Sequence, residues 1–563
     1  MKADKLIVMA NQIGEFFEAN PSKEEVEAGI ADLARGQILT VDADIKAEET
    51  SDIKALMDQS PFKDSVGSTL EVLQVAGLVN GDFNLNLPLN NNAQALASGT
   101  IVFDNNDVAL QAPKMNFTNV QGQLTFNNDK INTQDLALVW QGLPISLEVT
   151  GINKADYYDT DITLNALWKE HQWLAHVPEK LKRYTQGELP WQGHLSLHQH
   201  HQGGFSYQGN FSSELEKTKL LLPKPYNRDG SQKNPLSVDI DGQITQSKIT
   251  LNYGDKMLFS GYLDHENTAF TRANLMLGQG TMALPSNGFH ITTKLEQADF
   301  SKWQPLISDI LDAVNQPQSE ALVASEVGAS MPFIARPKRI RGSIGQLAIL
   351  GQQLNNVSFN LLDKPDWWLL QLNAKETRSQ IKIHPDWLKQ GLEINAEFLK
   401  LARTEAEGEQ EESSAYSVDK AENDIIFANI PPLKFHCDVC AIDQLSLGEV
   451  DATISRVGDD IIKFSDFTAK RGETSVKLAG QWLHNETQSE TSLVGNLSIN
   501  DIETELKALS FDSIIKDSGA EVAFDLNWQG GLHDFELSQL TGNVNAKLDD
   551  GYLADVSDKG ARM

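Results

Sequence analysis

The sequence predicts a mainly β protein built on a long, twisted antiparallel β-sheet of repeating β-units with a few helices. Three observations lead there. Apolar and polar residues alternate through one short segment after another, as in Gly81-Asp82-Phe83-Asn84-Leu85-Asn86-Leu87, where successive strand residues point to opposite sides. Gly, Asn, Asp and Pro punctuate these segments at intervals near the ~8–12 residues of directly connected strands. The helical segments of about a dozen residues that parallel crossovers need are mostly missing.

Taken in order, residues 1–75 are a mixed helical lead-in. Asp4 to Phe17 has helical spacing, Ser22-Lys23-Glu24-Glu25 opens a second helix as a capping box ended by Gly36, Gln37 to Ile45 reads as a strand, and Asp52 to Met57 is helical again. Residues 76–298 are β-repeats, with Asn105-Asn106-Asp107 and Asn127-Asn128-Asp129 as turn clusters. Lys169 to Tyr184 is a helical interruption that Pro178 breaks. Residues 299–335 hold a helix and a connecting segment: Ser301 and Gln304 form a capping box, and Trp303, Leu306, Ile307, Ile310, Leu311 and Val314 form its apolar stripe. Residues 336–403 are β again, 404–424 an acidic flexible loop too polar to bury itself, and 425–563 further β-repeats. The tripeptide Trp-Gln-Gly recurs at 140–142, 191–193 and 528–530 and suggests internal repetition.

The 563 residues carry 78 acidic against 47 basic side chains, a formal charge of -31, which excludes an extended phosphate-binding surface and with it nucleic acid as a partner. No apolar run approaches the ~18 residues of a membrane-spanning helix. Leu6-Ile7-Val8-Met9-Ala10 is also too short for the apolar part of a secretory signal. Motifs for a nucleophile elbow, a zinc protease, a P-loop or a dinucleotide fold are missing, so neither an enzyme nor a cofactor is expected. His194, His198 and His200 share strand parity, but no Cys or carboxylate completes a ligand set by spacing, so they read as a solvent face and no metal is expected. Cys437 and Cys440 stand as C-x-x-C. In an oxidising compartment they are a candidate disulfide, while the spacing also allows reduced structural thiols, a redox pair or half a zinc site. The run Arg336-Pro337-Lys338-Arg339-Ile340-Arg341 reads as a solvated strand entry, with lipid headgroups or an acidic partner as the alternative.

The order of segments from Gly81-Asp82-Phe83 through Ala97 to Phe103 and Phe117 to Phe126, then Pro337 to Gly342, Pro432 to Cys440, Leu447-Gly448 and Gly551 to Val556, resembles the YhdP family of large AsmA-like envelope proteins of Gram-negative bacteria. The resemblance runs from about residue 50 to the end. It implies an inner-membrane anchor, a long periplasmic body similar to bridge-like lipid-transfer proteins, and a link to phospholipid transport toward the outer membrane. The anchor is missing near Met1 and the pattern stops at Met563, so an internal fragment or a partial gene model is expected.

Pattern and resemblance together predict a sheet curled into an elongated hydrophobic groove. Its lining would be Phe83, Leu85, Phe103, Leu124, Phe126, Leu138, Ile240, Leu251, Phe359, Leu361, Ile454, Leu478, Phe524, Leu526 and Leu548. The expected occupants are phospholipid acyl chains, and the expected partners of the full-length protein are inner- and outer-membrane components. The alternative is a structural or adhesive β-solenoid or β-sandwich whose apolar faces close on each other.

Overall fold

A computed structural model describes residues 38–49, 73–88, 96–111, 114–230, 233, 235–315, 336–402, 420–443, 445–508 and 511–554. The helices predicted at Asp4 to Phe17, from Ser22 and at Asp52 to Met57 lie outside the described residues. The chain divides into two units, one of residues 1–275, 281–289 and 305–336, the other of 276–280, 290–304 and 337–563.

The first unit is an antiparallel meander. Its strands are β1 (Ile38–Glu49), β2 (Leu73–Pro88), β3 (Leu96–Gln111), β4 (Lys114–Asn127), β5 (Lys130–Trp140), β6 (Leu143–Asn153), β7 (Tyr157–Trp168), β8 (Leu189–His200), β9 (Phe205–Ser213), β10 (Leu236–Gln243), β11 (Gln246–Tyr253) and β12 (Met257–Asp264), each antiparallel to the next. A further strand, β13 (Ala269–Gly278), follows, and Phe270 meets Phe259 edge to face. Between β7 and β8 the predicted helix is two short turns, α1 (Glu170–Trp173) and α2 (Glu179–Lys182), split at Pro178.

The turn predicted at Asn105-Asn106-Asp107 is instead an interruption inside β3. Asn105 has φ 61°, and the same left-handed backbone recurs at Asn119 in β4 and Asp135 in β5. Asn pays little to enter this region, which is why it fits a bulge as well as a turn. At each point the inward parity changes. Phe103 gives way to Val108, Phe117 to Val120 and Thr133 to Leu138, so the apolar residues stay on one side although the register shifts. Asn106, 1% exposed, fills the resulting gap: its amide nitrogen donates to the carbonyls of Ala76 and Leu78 at 3.3 and 3.1 Å, and its oxygen accepts from the Asp104 N–H at 2.8 Å. The second cluster, Asn127-Asn128-Asp129, does turn the chain, from β4 into β5.

The second unit runs through β14 (Gly288–Asp299), β15 (Arg339–Ile349), β16 (Gln352–Asp363), β17 (Trp368–Asn373), β18 (Thr377–Ile383), β19 (Leu392–Leu401), β20 (Leu433–Ile442), β21 (Leu445–Val457), β22 (Ile461–Arg471), β23 (Thr474–His484), β24 (Ser489–Ile499), β25 (Ala520–Gln529) and β26 (Thr541–Leu548). Most neighbours are antiparallel, but β14–β15 and β19–β20 are parallel, joined by long crossovers. Each of those crossovers carries a helix, α3 (Phe300–Asn315) and α4 (Lys420–Asn429). Helix α4 therefore begins within the 404–424 segment predicted as a loop. Local acidity hides it, because what holds it is distant: Phe427 packs among Ile462, Phe464 and Trp482. A last helix, α5 (Ile502–Ala508), precedes β25.

Helix α3 starts a residue earlier than predicted. Asp299, not Ser301, supplies the cap: its Oδ1 accepts from the Ser301 N–H at 3.0 Å and from its hydroxyl at 2.6 Å. The helix is held partly by its polar side. Asp309 takes hydrogen bonds from Arg183 and, at 2.7 Å, from the Tyr184 hydroxyl, while Ile307, Ile310 and Leu311 of the predicted stripe stay exposed.

Cys437 and Cys440 are disulfide-bonded across a register shift in β20. Three residues apart, they would face opposite sides of an unbroken strand. The bulge turns both inward, where they are 0% and 5% exposed.

Two stability predictions arise here. Asn106→Ala strands two carbonyls and one N–H and should cost about 1–3 kcal/mol, read from the denaturant midpoint of the transition involving β2–β4; an unchanged midpoint would contradict the stapling role. Removing the disulfide as Cys437→Ala/Cys440→Ala should cost about 2 kcal/mol, because the closed loop is short, and a much larger loss would point to packing instead.

Candidate functional site: the apolar sheet face

Cross-strand partners in a ladder share a face, so the register decides which predicted lining residues belong together. In the first unit Phe83 pairs with Gly99 and Gly99 with Phe126, Leu124 with Ile101, and Phe103 with Gly122. Farther along, Leu138 pairs with Ile145, and Ile240 and Leu251 pair with Ile249 and Val238. In the second unit Phe359 and Leu361 pair with Leu372 and Leu370, Ile454 with Phe464, Leu478 with Gly495, and Gly495 with Phe524. Leu526 pairs with Leu493, and Leu548 with Ala520. Within each unit these residues lie on the side where the other apolar residues gather.

Their exposure is uneven. Leu85, Phe103, Phe126 and Leu138 are buried by neighbours on the face, Leu548 on β26 is 51% exposed, and the others, Ile454 included, are half-buried. The principal backbone contacts of the described strands are with their ladder neighbours. At Ile454 the face is covered by helix α4. Phe427 meets Trp482 edge to face at 5.1 Å, and Ile426 and Ile430 pack beside it. Arg456 donates to the Phe427 and Ile430 carbonyls, and His484, 6% exposed, bonds Asp424 at 2.7 Å.

A set of residues that alternation alone does not reveal shapes the face. Glycines sit in strands opposite aromatic rings, and the rings lie over them. A Cβ on Gly99 would meet the Phe126 ring at 2.8 Å, one on Gly242 the Tyr207 ring at 2.2 Å, and Gly193 and Gly495 relate in the same way to Phe211 and Phe524. In-strand glycine is the sequence signal for such close approach. The three Trp-Gln-Gly copies share less. Gln141 and Gly142 make a left-handed two-residue turn, while the other copies lie within β8 and at the end of β25. What they have in common is a tryptophan on the apolar side; Trp191 stands edge to face with Trp168 at 5.1 Å.

The polar side carries the rest of the candidates. His194, His198 and His200 are opposite Leu195 and Leu197 and do not converge. His194 meets Asp161 at 3.3 Å, His198 meets Asp159 at 3.1 Å, and His200 contacts Ser206 at 3.3 Å. The basic run enters β15 as strand, with Arg339 donating to Asn360 at 2.6 Å; burial, then the charges of Arg339, Arg341 and Lys338, hold His290 below the usual imidazole range. On the apolar side, burial and then the Asp129 carboxylate push the Tyr158 phenol up to about 12, so it stays neutral. The arrangement offers apolar adhesion on one side and hydration on the other.

The pattern of the family described as "YhdP protein" matches residues 11–563. The chain is similar to the "Intermembrane phospholipid transporter YhdP" of Escherichia coli (strain K12), 22% identical over 537 residues, which are 94% of this chain and 40% of that relative. The chain thus spans well under half the length of the relative it matches. No solved structure gives a significant match. On the extent of the family match, the chain belongs to the YhdP protein family.

Proposed function

We propose that this chain is a stretch of a nonenzymatic lipid-transfer conduit. In this reading phospholipid acyl chains lie along the apolar face of the sheet, which curls into a groove around them, while headgroups face water. The carrying observation is the single-sided clustering of the half-buried residues Phe83, Leu124, Phe359, Leu478 and Phe524 in the ladders. The similar E. coli protein is named an intermembrane phospholipid transporter, which points to transport rather than bond chemistry.

The energetics suit sliding. Each buried CH2 contributes about 0.8 kcal/mol, so an acyl chain is held by many small, nearly equal contributions. Shifting by one strand exchanges one set of Leu, Ile and Phe contacts for a similar one, which keeps the face adhesive without trapping its cargo. Helix α4 occupies the face over Ile454 as an intramolecular apolar partner, a model for how such side chains receive a ligand. The setting we propose is the periplasm between inner and outer membrane, with components of both as partners of the longer protein. No helix of the described residues is long and apolar enough to cross a membrane. The rival sandwich or solenoid would pack strand faces on strand faces and carry no lipid.

Photocrosslinking amino acids test this reading. At Phe126 or Phe524 they should capture lipid, whereas at Thr125 or Asp525, on the opposite side, they should not. Equal labelling from both sides would overturn it.

A further inference from the structure

The bulge that turns Cys437 and Cys440 inward gathers four other residues on the polar side of β20 and β21. His436 and Asp451 are direct cross-strand partners, with Nδ1 of His436 2.8 Å from Asp451 Oδ1. Nε2 of the same ring lies 3.2 Å from Asp438 Oδ1. Glu449, two residues before Asp451, completes a group in which one donor atom each from His436, Glu449 and Asp451 lies within 4.8 Å of the others. We propose that His436, Glu449 and Asp451 form a divalent-metal site of the zinc type, with Asp438 orienting the imidazole.

Several features make this more than a chance acidic patch. Ligating histidines characteristically donate their second ring N–H to a carboxylate, and the Asp438 contact at Nε2 provides that partner while Nδ1 meets Asp451. Zinc bonds of about 2.0–2.2 Å put ligand atoms roughly 3.3 Å apart, so the donors need close by only about an ångström or so. The backbone beneath is clamped by the disulfide on the other face. The neighbours of the group are Asn395 on β19 and Thr468 and Lys470 on β22, with the Arg378–Glu397 pair lining the same depression as His436 and Asp438; Lys470 is opposite Glu449, yet Glu449 has no ion-pair partner among the described residues. The hydrogen bond to Asp451 first, then that to Asp438, hold His436 above its usual range against the opposing effect of burial. Filled, the site would cross-link β20 to β21 on the polar side. The inference does not depend on the lipid reading.

Calorimetric titration of the tag-free chain with Zn2+ tests it. The expected result is one saturable site that is lost in His436→Ala, weakened at least about 10-fold in Glu449→Gln and about 10–100-fold in Asp438→Asn. Because Zn2+ displaces the His436 proton, affinity should rise from about pH 6 to about pH 8. Zn2+ should also raise the melting temperature of the wild type and not that of His436→Ala, a readout that does not require the variant to match wild-type stability. No saturable binding by the wild type up to millimolar Zn2+ overturns the proposal. So does undiminished affinity in His436→Ala, which would place the ion elsewhere, such as the His194 row.

Discussion

Register in the antiparallel ladders is the constraint on which the rest of the molecule depends, because a one-residue slip moves a strand's whole apolar set to the opposite side. Here the constraint is met even where strands are irregular. Asn105, Asn119 and Asp135 each take a left-handed backbone, and each time the sequence changes the parity of its apolar residues to match. The second unit repeats the device at Asp466, with Phe464 on one side and Phe467 and Ala469 on the other. Bulges bend and twist a sheet locally. These do so without breaking the continuity of the apolar face within a unit.

Much of this was legible in the sequence where the cause is local. Phe83 and Leu85, Leu124 and Phe126, and Phe524 and Leu526 alternate with polar residues, and the register places each pair on the apolar side. What was misread has a non-local cause. Asn105-Asn106-Asp107 carries the chemistry of a turn, and only the carbonyls of Ala76 and Leu78, some thirty positions away, make it a bulge. Lys420–Asn429 lies against an acidic segment, and its reason to be helical is Trp482 and Ile462. The two parallel pairings follow from crossovers, of which the first shows its helix in the sequence pattern and the second does not. His436 and Asp451 are far from completing a ligand set by spacing; strand pairing brings them together.

The division of labour between the two sides follows from the same geometry. The apolar side holds phenylalanine rings over glycines, a disulfide and a neutral tyrosine, none of which carries charge. The polar side spends its charges on pairs such as Arg378–Glu397 at 2.8 Å and Lys382–Glu393 at 3.1 Å, which contribute little to stability in water. Their use is to keep that side hydrated and to discourage the sheet from closing on another sheet.

Mass spectrometry of an organic extract of the purified chain tests the central claim most directly. The account predicts phospholipid in the extract of the wild type and its depletion when glutamate replaces Phe126 and Phe524 in a protein that keeps its β-sheet circular dichroism. A folded wild type that carries no phospholipid and takes none up from vesicles would contradict it.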